Sequence, residues 1–117
     1  MKSRIEILNT LPYFTGTVEY HKHKFLNYNL TLTDGAVYIR EACDSYWLFD
    51  IIAQQAQIHK KFIAALKQSK DGQWKFIVCD FNKKNVYYRQ QIIYSDFPLD
   101  GIRLYFLKGI CYLPGEH

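Results

Sequence analysis

The sequence predicts an α+β domain in which N-terminal helices pack on a three- to four-stranded antiparallel meander. Two observations favour this class: helical periodicity dominates the first part of the chain, and alternation with a period of two begins after Gly72. The length of 117 residues fits a single domain, residues 1–117, with one core. We therefore expect one face of the sheet to lie under the helices and the other to stay open.

A short helix is predicted over residues 4–11, because Ile5, Leu8 and Leu11 recur every three residues and Pro12 follows. Residues 18–24 are ambiguous and are expected to be extended or irregular. Residues 27–33 alternate polar with apolar side chains, which is typical of a short strand, although a segment leading into a helix is an alternative.

Two consecutive helices are predicted after residue 33. Asp34 is the expected N-cap of the first helix, which can bury Ala36, Ile39 and Cys43, and Asp44-Ser45 indicates a break before the second. The second helix is expected to continue to Lys70 and to stop at Asp71-Gly72, since cations near its end suit the helix dipole. Its apolar stripe is Leu48, Ile51, Ile52, Ile58, Phe62, Ile63 and Leu66.

Three strands are predicted in the remainder of the chain, with a hairpin loop at residues 81–85 and a possible fourth strand at residues 110–113. The inward residues of the three strands are expected to be Trp74, Phe76 and Val78; Val86, Tyr88, Ile92 and Tyr94; and Ile102, Leu104 and Phe106. The open face would then carry Arg89, Gln91, Arg103 and Tyr105.

Composition limits the classes of function without choosing one. The net charge of +4 and pI near 8.9 permit a polyanionic partner. The aromatic share of 17% predicts either an aromatic-rich core or an exposed aromatic surface that binds or stacks with a partner. Three widely spaced cysteines in apolar runs indicate buried free thiols and a reducing cytoplasm. No apolar run has the length of about 20 residues needed to cross a bilayer, so no membrane contact is expected.

Five short motifs are distinctive in this sequence: FTGT at residues 14–17, TDG at 33–35, YWLFD at 46–50, SDFPL at 95–99 and LPGE at 113–116. With these the chain resembles a small bacterial domain family of unknown function. The resemblance spans nearly the whole chain, with residues 58–70 longer than in the family. It implies a stand-alone protein of plasmids or phages and no catalytic activity.

Asp50 is the first candidate for chemistry because it lies inside the apolar run WLFDII. A carboxylate buried without a partner costs several kcal/mol, so Asp50 is expected to be paired, to lie at the edge of the apolar stripe, or to have a shifted pKa. A structural hydrogen bond is the favoured interpretation. The alternative is an acid or base acting with Asp96 or a histidine.

The remaining candidates are basic. His21, Lys22, His23 and Lys24 form a run for which a solvated surface segment is the favoured interpretation and contact with phosphate is the alternative. Two histidines could also hold a metal, but a third ligand would be needed, and no metal or cofactor is predicted. A second set could merge into one patch that suits single-stranded nucleic acid. Its members are Lys60, Lys61, Lys67, Lys70, Lys75, Lys83, Lys84, Tyr87, Arg89, Arg103 and Tyr105.

Binding is therefore favoured over catalysis, because the chain has no P-loop, no GxSxG and no HExxH motif. The leading hypothesis is an accessory factor of a mobile element that binds another protein or forms a homodimer, since the aromatic excess exceeds the charge excess. Nucleic-acid binding through the lysine and aromatic face is the second hypothesis. A small enzyme using Asp50 is the third.

Overall fold

Helices and strands are interleaved along the chain, with two strands preceding the second helix. The structure, a computed structural model, describes residues 1–116. Its helices are Arg4–Thr10 (α1), Asp34–Ala42 (α2) and Tyr46–Ala56 (α3), with short 3₁₀ turns at Leu11–Tyr13 and Pro114–Glu116. Its strands are His21–Phe25 (β1), Tyr28–Leu32 (β2), Lys61–Gln68 (β3), Trp74–Cys79 (β4), Val86–Ile92 (β5), Gly101–Leu107 (β6) and Ile110–Tyr112 (β7).

The α+β class is confirmed, but the predicted meander of three or four strands is wrong. The strands form one seven-stranded sheet in the order β1-β2-β7-β6-β3-β4-β5. The sheet is mixed, because β2 and β7 run parallel while the other neighbours are antiparallel. Strands β4 and β5 form the predicted hairpin. Strand β6 pairs with β3 and β7 instead of continuing from β5, and this leaves β5 at an edge.

The largest correction concerns residues 58–70, which were expected to extend the second helix. Helix α3 ends at Ala56, and Lys61–Gln68 is an interior strand of the sheet, β3, between β4 and β6. Five successive residues of β3, from Phe62 to Leu66, are buried, so the strand has no alternation by which to recognise it. A continuous apolar run with alanines is equally compatible with a buried helix. No Gly or Pro separates α3 from β3.

The core lies between the helices and one face of the sheet. Leu48 and Ile52 of the predicted stripe are buried there and pack with the inward residues of the strands. Phe49, which was not in the predicted stripe, is buried as well, whereas Ile51 is half-buried and Ile58 is exposed. Within α1 the buried residue is Ile7, whereas Ile5 and Leu8, which defined the predicted apolar spacing, are exposed. The predicted inward faces of β4 and β6 are confirmed.

Strand β5 departs from its predicted pattern at both ends. The register shifts between Val78 and Cys79, so that Val86 lies opposite Cys79 and not on the inward face. The strand ends at Ile92, and Tyr94 is exposed beyond it. A bulge of this kind moves the following side chains to the other face, which alternation within one strand cannot reveal.

Helices α2 and α3 differ in how their N-termini are formed. Thr33, not Asp34, is the N-cap of α2, because its hydroxyl oxygen accepts from the amide of Ala36. The predicted break before α3 is confirmed: Asp44 has a φ of 50°, and the buried hydroxyl of Ser45 donates to the carbonyl of Ile39. Within residues 1–116, no helix is long and apolar enough to cross a membrane.

Candidate functional site

All the lysines and arginines of the strands lie on the face turned away from the helices, which we call the open face. The inward positions of each strand are identified by core residues such as Leu30, Leu66, Phe76 and Leu104, and the basic residues occupy the alternate positions. No aspartate or glutamate lies on any strand within residues 1–116. The basic side chains are Lys22, Lys24, Lys61, Lys67, Lys75, Arg89 and Arg103, and all are exposed.

The sheet register places these cations in rows across neighbouring strands. Ala65 of β3 lies opposite Arg103 on one side and Ile77 on the other, and Ile77 in turn lies opposite Arg89. In the next row, Lys67 faces Lys75 directly. Like charges directly opposite each other on neighbouring strands are destabilising, so an anion bound between the two lysines would be stabilised by both.

A small cavity of about 170 Å³ opens at the centre of the open face. Its floor is apolar and its rim is cationic, formed by Lys67, Lys83 and Arg103. The floor consists of Ile63, Ala65, Ile77, Cys79 and Val86. Burial raises the pKa of the Cys79 thiol, with Asp80 adding to the rise and the three rim cations opposing it. The thiol is therefore protonated at neutral pH and acts as part of an apolar floor.

Two aromatic rings lie near the cavity, since Tyr105 is the cross-strand neighbour of the floor residue Ile63 and contacts Phe81. The ring of Phe81 meets the edge of Tyr105 at 5.2 Å between centroids, and Tyr105 lies 5.7 Å from Tyr112. The ammonium of Lys61 sits 4.9 Å above the Phe81 ring, a cation–π contact. Phe81 and Tyr105 are half-buried, so part of each ring faces solvent beside a cation.

The acidic residues in the turns next to this surface, Asp80 and Asp71, accept hydrogen bonds from other residues of the same turns. The carboxylate of Asp80 accepts from the backbone amides of Lys84 and Asn85 and from the Asn85 side chain. Although burial opposes the shift, these bonds lower the pKa of Asp80. Asp71 is held in the same way by the Ser69 hydroxyl and by the Gln73 amide, which lower its pKa. Both carboxylates therefore act chiefly as turn caps.

The structure divides the predicted basic run between the two faces. Lys22 and Lys24 lie on the open face, and the Lys22 ammonium donates to Thr31 Oγ1 at 2.6 Å. His21 and His23 point to the helix side, where each meets its own carboxylate. Within residues 1–116, no three metal-binding side chains come together.

The second predicted set is brought together in part. Lys61, Arg89, Arg103 and Tyr105 share the open face, and Lys83 reaches its cavity from the β4–β5 turn. Outside the strands, the exposed members of the set are Lys60, Lys70, Lys83 and Lys84. Within β5, the Tyr87 ring stacks on His59 at 4.3 Å. Sequence reasoning missed Phe81, because a loop residue gives no alternation signal. It also did not join Lys22 and Lys24 to this surface, although their alternation with His21 and His23 was visible.

Asp50 forms part of a closed network on the helix side of the sheet. Its Oδ1 lies 2.7 Å from His23 Nε2, and Arg40 Nη1 lies 3.2 Å from His23 Nδ1. An arginine always donates, so Nδ1 is the accepting nitrogen and Nε2–H donates to Asp50. His23 is buried and both of its nitrogens are occupied, and this geometry favours the structural role for Asp50.

Three of the sequence landmarks meet at the start of α2. Glu116 accepts from the hydroxyl of Thr33 at 2.6 Å and from the amides of Gly35 and Leu113, each at 3.0 Å. Asp34 accepts from the Val18 amide at 2.8 Å, while its own amide donates to Thr17. A Cβ on Gly35 would lie 2.6 Å from Glu116 Oε1, so glycine permits this close approach. These motifs therefore tie the C-terminal segment to a helix N-terminus.

Comparison with protein families assigns the chain to a family. Residues 5–117 match a family of unknown function, DUF6876, and the chain belongs to that family. The match confirms the resemblance to a domain family of unknown function. Comparison with the curated proteins and with the solved structures gave no match.

Proposed function

We propose that the open face of the sheet binds single-stranded nucleic acid. The observation that carries this proposal is the single sign of charge on the solvent-facing side of the sheet: within residues 1–116 its strands carry seven lysines and arginines and no acidic residue. The helix-facing side is the core, which excludes charge whatever the function, so the informative feature is that the solvent-facing side carries cations with no strand carboxylate among them. A surface of one sign of charge attracts a polyanion and raises its association rate.

Phosphates are the groups that these cations suit best. The basic side chains extend from Lys22 on the edge strand β1 to Arg89 on the opposite edge strand, β5. Six strand spacings of about 4.8 Å give a width of about 29 Å, which accommodates several nucleotides. Of the seven cations, Lys61 contacts an aromatic ring and Lys22 a hydroxyl. No acidic side chain in residues 1–116 forms a salt bridge with any of the seven.

The aromatic rings favour a single strand over a duplex. Unpaired bases stack on exposed rings, and Phe81 and Tyr105 present part of their surface beside Lys61. The central cavity, with its apolar floor and the rim cations Lys83 and Arg103, fits a sugar or base edge flanked by phosphates. An open sheet also offers no projecting helix to enter a major groove.

The reason for preferring a protein partner weakens once the aromatic residues are located. Much of the aromatic excess lies in the core, where Phe49, Phe62 and Phe76 are fully buried and Trp74 and Phe106 are nearly so. Nucleic-acid binding is compatible with the accessory role in a bacterial mobile element that the family resemblance implies. We further infer a cytoplasmic location, because Cys43, Cys79 and Cys111 are free and buried.

The proposal is tested by fluorescence anisotropy with a labelled oligothymidylate of about 20 nucleotides and with a duplex of equal length. We expect the single strand to bind more tightly. Each phosphate contact to a single strand contributes about 0.7 to the slope of log K against log salt, so seven contacts would give a slope of about −5. The triple variant Lys67→Gln, Lys75→Gln, Arg103→Gln should reduce the slope to about −3.

A matched control removes three positive charges elsewhere. Lys2, Arg4 and Lys108 are exposed and lie outside the strands, so Lys2→Gln, Arg4→Gln, Lys108→Gln should leave most of the slope intact. In the double variant Phe81→Leu, Tyr105→Leu, single-strand affinity should fall about tenfold or more with the slope unchanged. The proposal is wrong if the wild-type protein shows no saturable binding, or if both triple variants lower the slope equally.

A further inference from the structure

The two edges of the sheet differ in how they resist pairing with another strand. Edge strand β1 carries Lys22 and Lys24 within five residues, and such charges discourage edge-to-edge association. Edge strand β5 carries a single charged residue, Arg89, and pairs only with β4 within residues 1–116. Its far side therefore presents unpaired backbone groups with little charge to protect them.

Apolar side chains are exposed along this same edge. Val86 and Tyr87 are 43% and 42% exposed, and the two residues after the strand, Ile93 and Tyr94, are 98% and 81% exposed. Aliphatic and aromatic side chains at both ends of an unprotected strand mark an interaction surface.

The order of residues in β5 makes the strand complementary to itself. An antiparallel pair with its two-fold axis at Gln90 places residues whose numbers sum to 180 opposite each other. Within the regular part of the strand, the facing pairs are then Arg89 with Gln91 and Tyr88 with Ile92. Val86 and Tyr87, beyond the register shift, come near Ile93 and Tyr94 of the other copy, which follow the end of the strand. An axis at Arg89 would instead set two guanidinium groups against each other, and an axis at Gln91 would set Arg89 against Ile93. The register centred on Gln90 is thus the one that pairs rings with aliphatic side chains.

We propose that two copies of this chain associate through antiparallel pairing of β5 with β5, centred on Gln90. Such an interface is isologous, since the same strand is used by both copies. The two-fold axis is perpendicular to the sheet, so both sets of helices lie on one side and both open faces on the other. The dimer would carry a continuous fourteen-stranded sheet, seven strands from each copy. The association itself does not depend on nucleic-acid binding.

Disulfide trapping tests both the edge and the register. Directly opposed residues in an antiparallel pair have Cα atoms about 4.5–5.5 Å apart, within disulfide range, whereas residues displaced by two positions are about 8 Å apart. Under mild oxidation Gln90→Cys should therefore cross-link with itself. Arg89→Cys should not cross-link alone, but a mixture of Arg89→Cys with Gln91→Cys should do so. The native thiols are buried and do not compete.

Sedimentation equilibrium measures the association without a cross-link. We expect a wild-type dimer, and a monomer for Ile93→Lys, Tyr94→Lys. The matched control is Ile5→Lys, Tyr13→Lys, which makes the same changes at exposed positions far along the chain and should remain dimeric. A monomeric wild-type protein, or a dimer that survives Ile93→Lys, Tyr94→Lys, overturns the proposal. Cross-linking of Arg89→Cys alone overturns the register.

Discussion

Replacing Asp50 with leucine tests the role of the one carboxylate in the apolar run WLFDII. Asp50 and His23 have unequal environments: the Asp50 side chain is 40% exposed, whereas that of His23 is 4% exposed. Water can therefore solvate the carboxylate if the histidine is removed, but it cannot solvate the ring if the carboxylate is removed. We expect Asp50→Leu to be the more damaging single change, because it leaves the Nε2–H of His23 buried without an acceptor.

The magnitude follows from the cost of an unsatisfied buried donor, about 1–3 kcal/mol. For a chain of this size, 1 kcal/mol corresponds to a fall in Tm of about 4 °C, so we expect a decrease of about 4–12 °C. Replacing both partners removes the unsatisfied group. The double variant His23→Leu, Asp50→Leu should therefore be more stable than the sum of the single changes predicts, with a coupling energy of about 1–2 kcal/mol.

Thermal and urea unfolding of the four proteins of this cycle measure these values directly. Asp96→Leu is a suitable control, because the Asp96 side chain is exposed and forms no hydrogen bond or ion pair within residues 1–116, and its effect should lie within about 0.5 kcal/mol. An Asp50→Leu protein with unchanged stability would refute the structural role. Additive effects in the double variant would show that the 2.7 Å contact contributes nothing to the fold.

Two further predictions concern the start of α2. Gly35→Ala places a Cβ 2.6 Å from both Glu116 Oε1 and Leu113 Cδ1, so urea unfolding should show a loss of about 1–3 kcal/mol; Gly16→Ala, with nothing within 4 Å, is its control, and equal stabilities would contradict the packing argument. The Val18 amide, then His21, lowers the pKa of Asp34. A lowered pKa stabilises the fold above the unfolded value of about 3.9 and loses this effect as pH falls through the folded value. In melts from pH 7 downward, the gap between wild type and Asp34→Asn should thus close below about pH 4, and a persistent gap would disprove the linkage.

Secondary-structure elements were predicted correctly where the local sequence has clear periodicity or a clear break. Strands β4 and β6 alternate cleanly, and α2 and α3 have a recognisable break at Asp44, so these elements were predicted. Residues 58–70 have neither a break nor alternation, because β3 is an interior strand whose middle residues, 62–66, are buried on both faces. Helix formers such as alanine, leucine and lysine in this run favoured the wrong structure. Pairing with β4 and β6 overrides that local preference.

The candidate site was predicted as a list of residues but not as a surface. Arg89, Arg103 and Tyr105 were assigned to the open face from alternation alone. The contribution of Lys67 required β3 to be a strand, since a helix would place it far from Arg103. Lys22 and Lys24 required the parallel pairing of β2 with β7, a contact between residues about 80 positions apart that no local pattern encodes.

The sequence by itself determined the α+β class, the apolar face of α3, the burial of the three cysteines and the hairpin of β4 with β5. Each of these depends on neighbours within a few residues, where periodicity and turn residues act directly. The tertiary structure decided the seven-stranded order, the identity of β3 and the gathering of seven cations on one face. These depend on which distant strands pair, and pairing energies depend on packing between whole elements, beyond the reach of the local pattern.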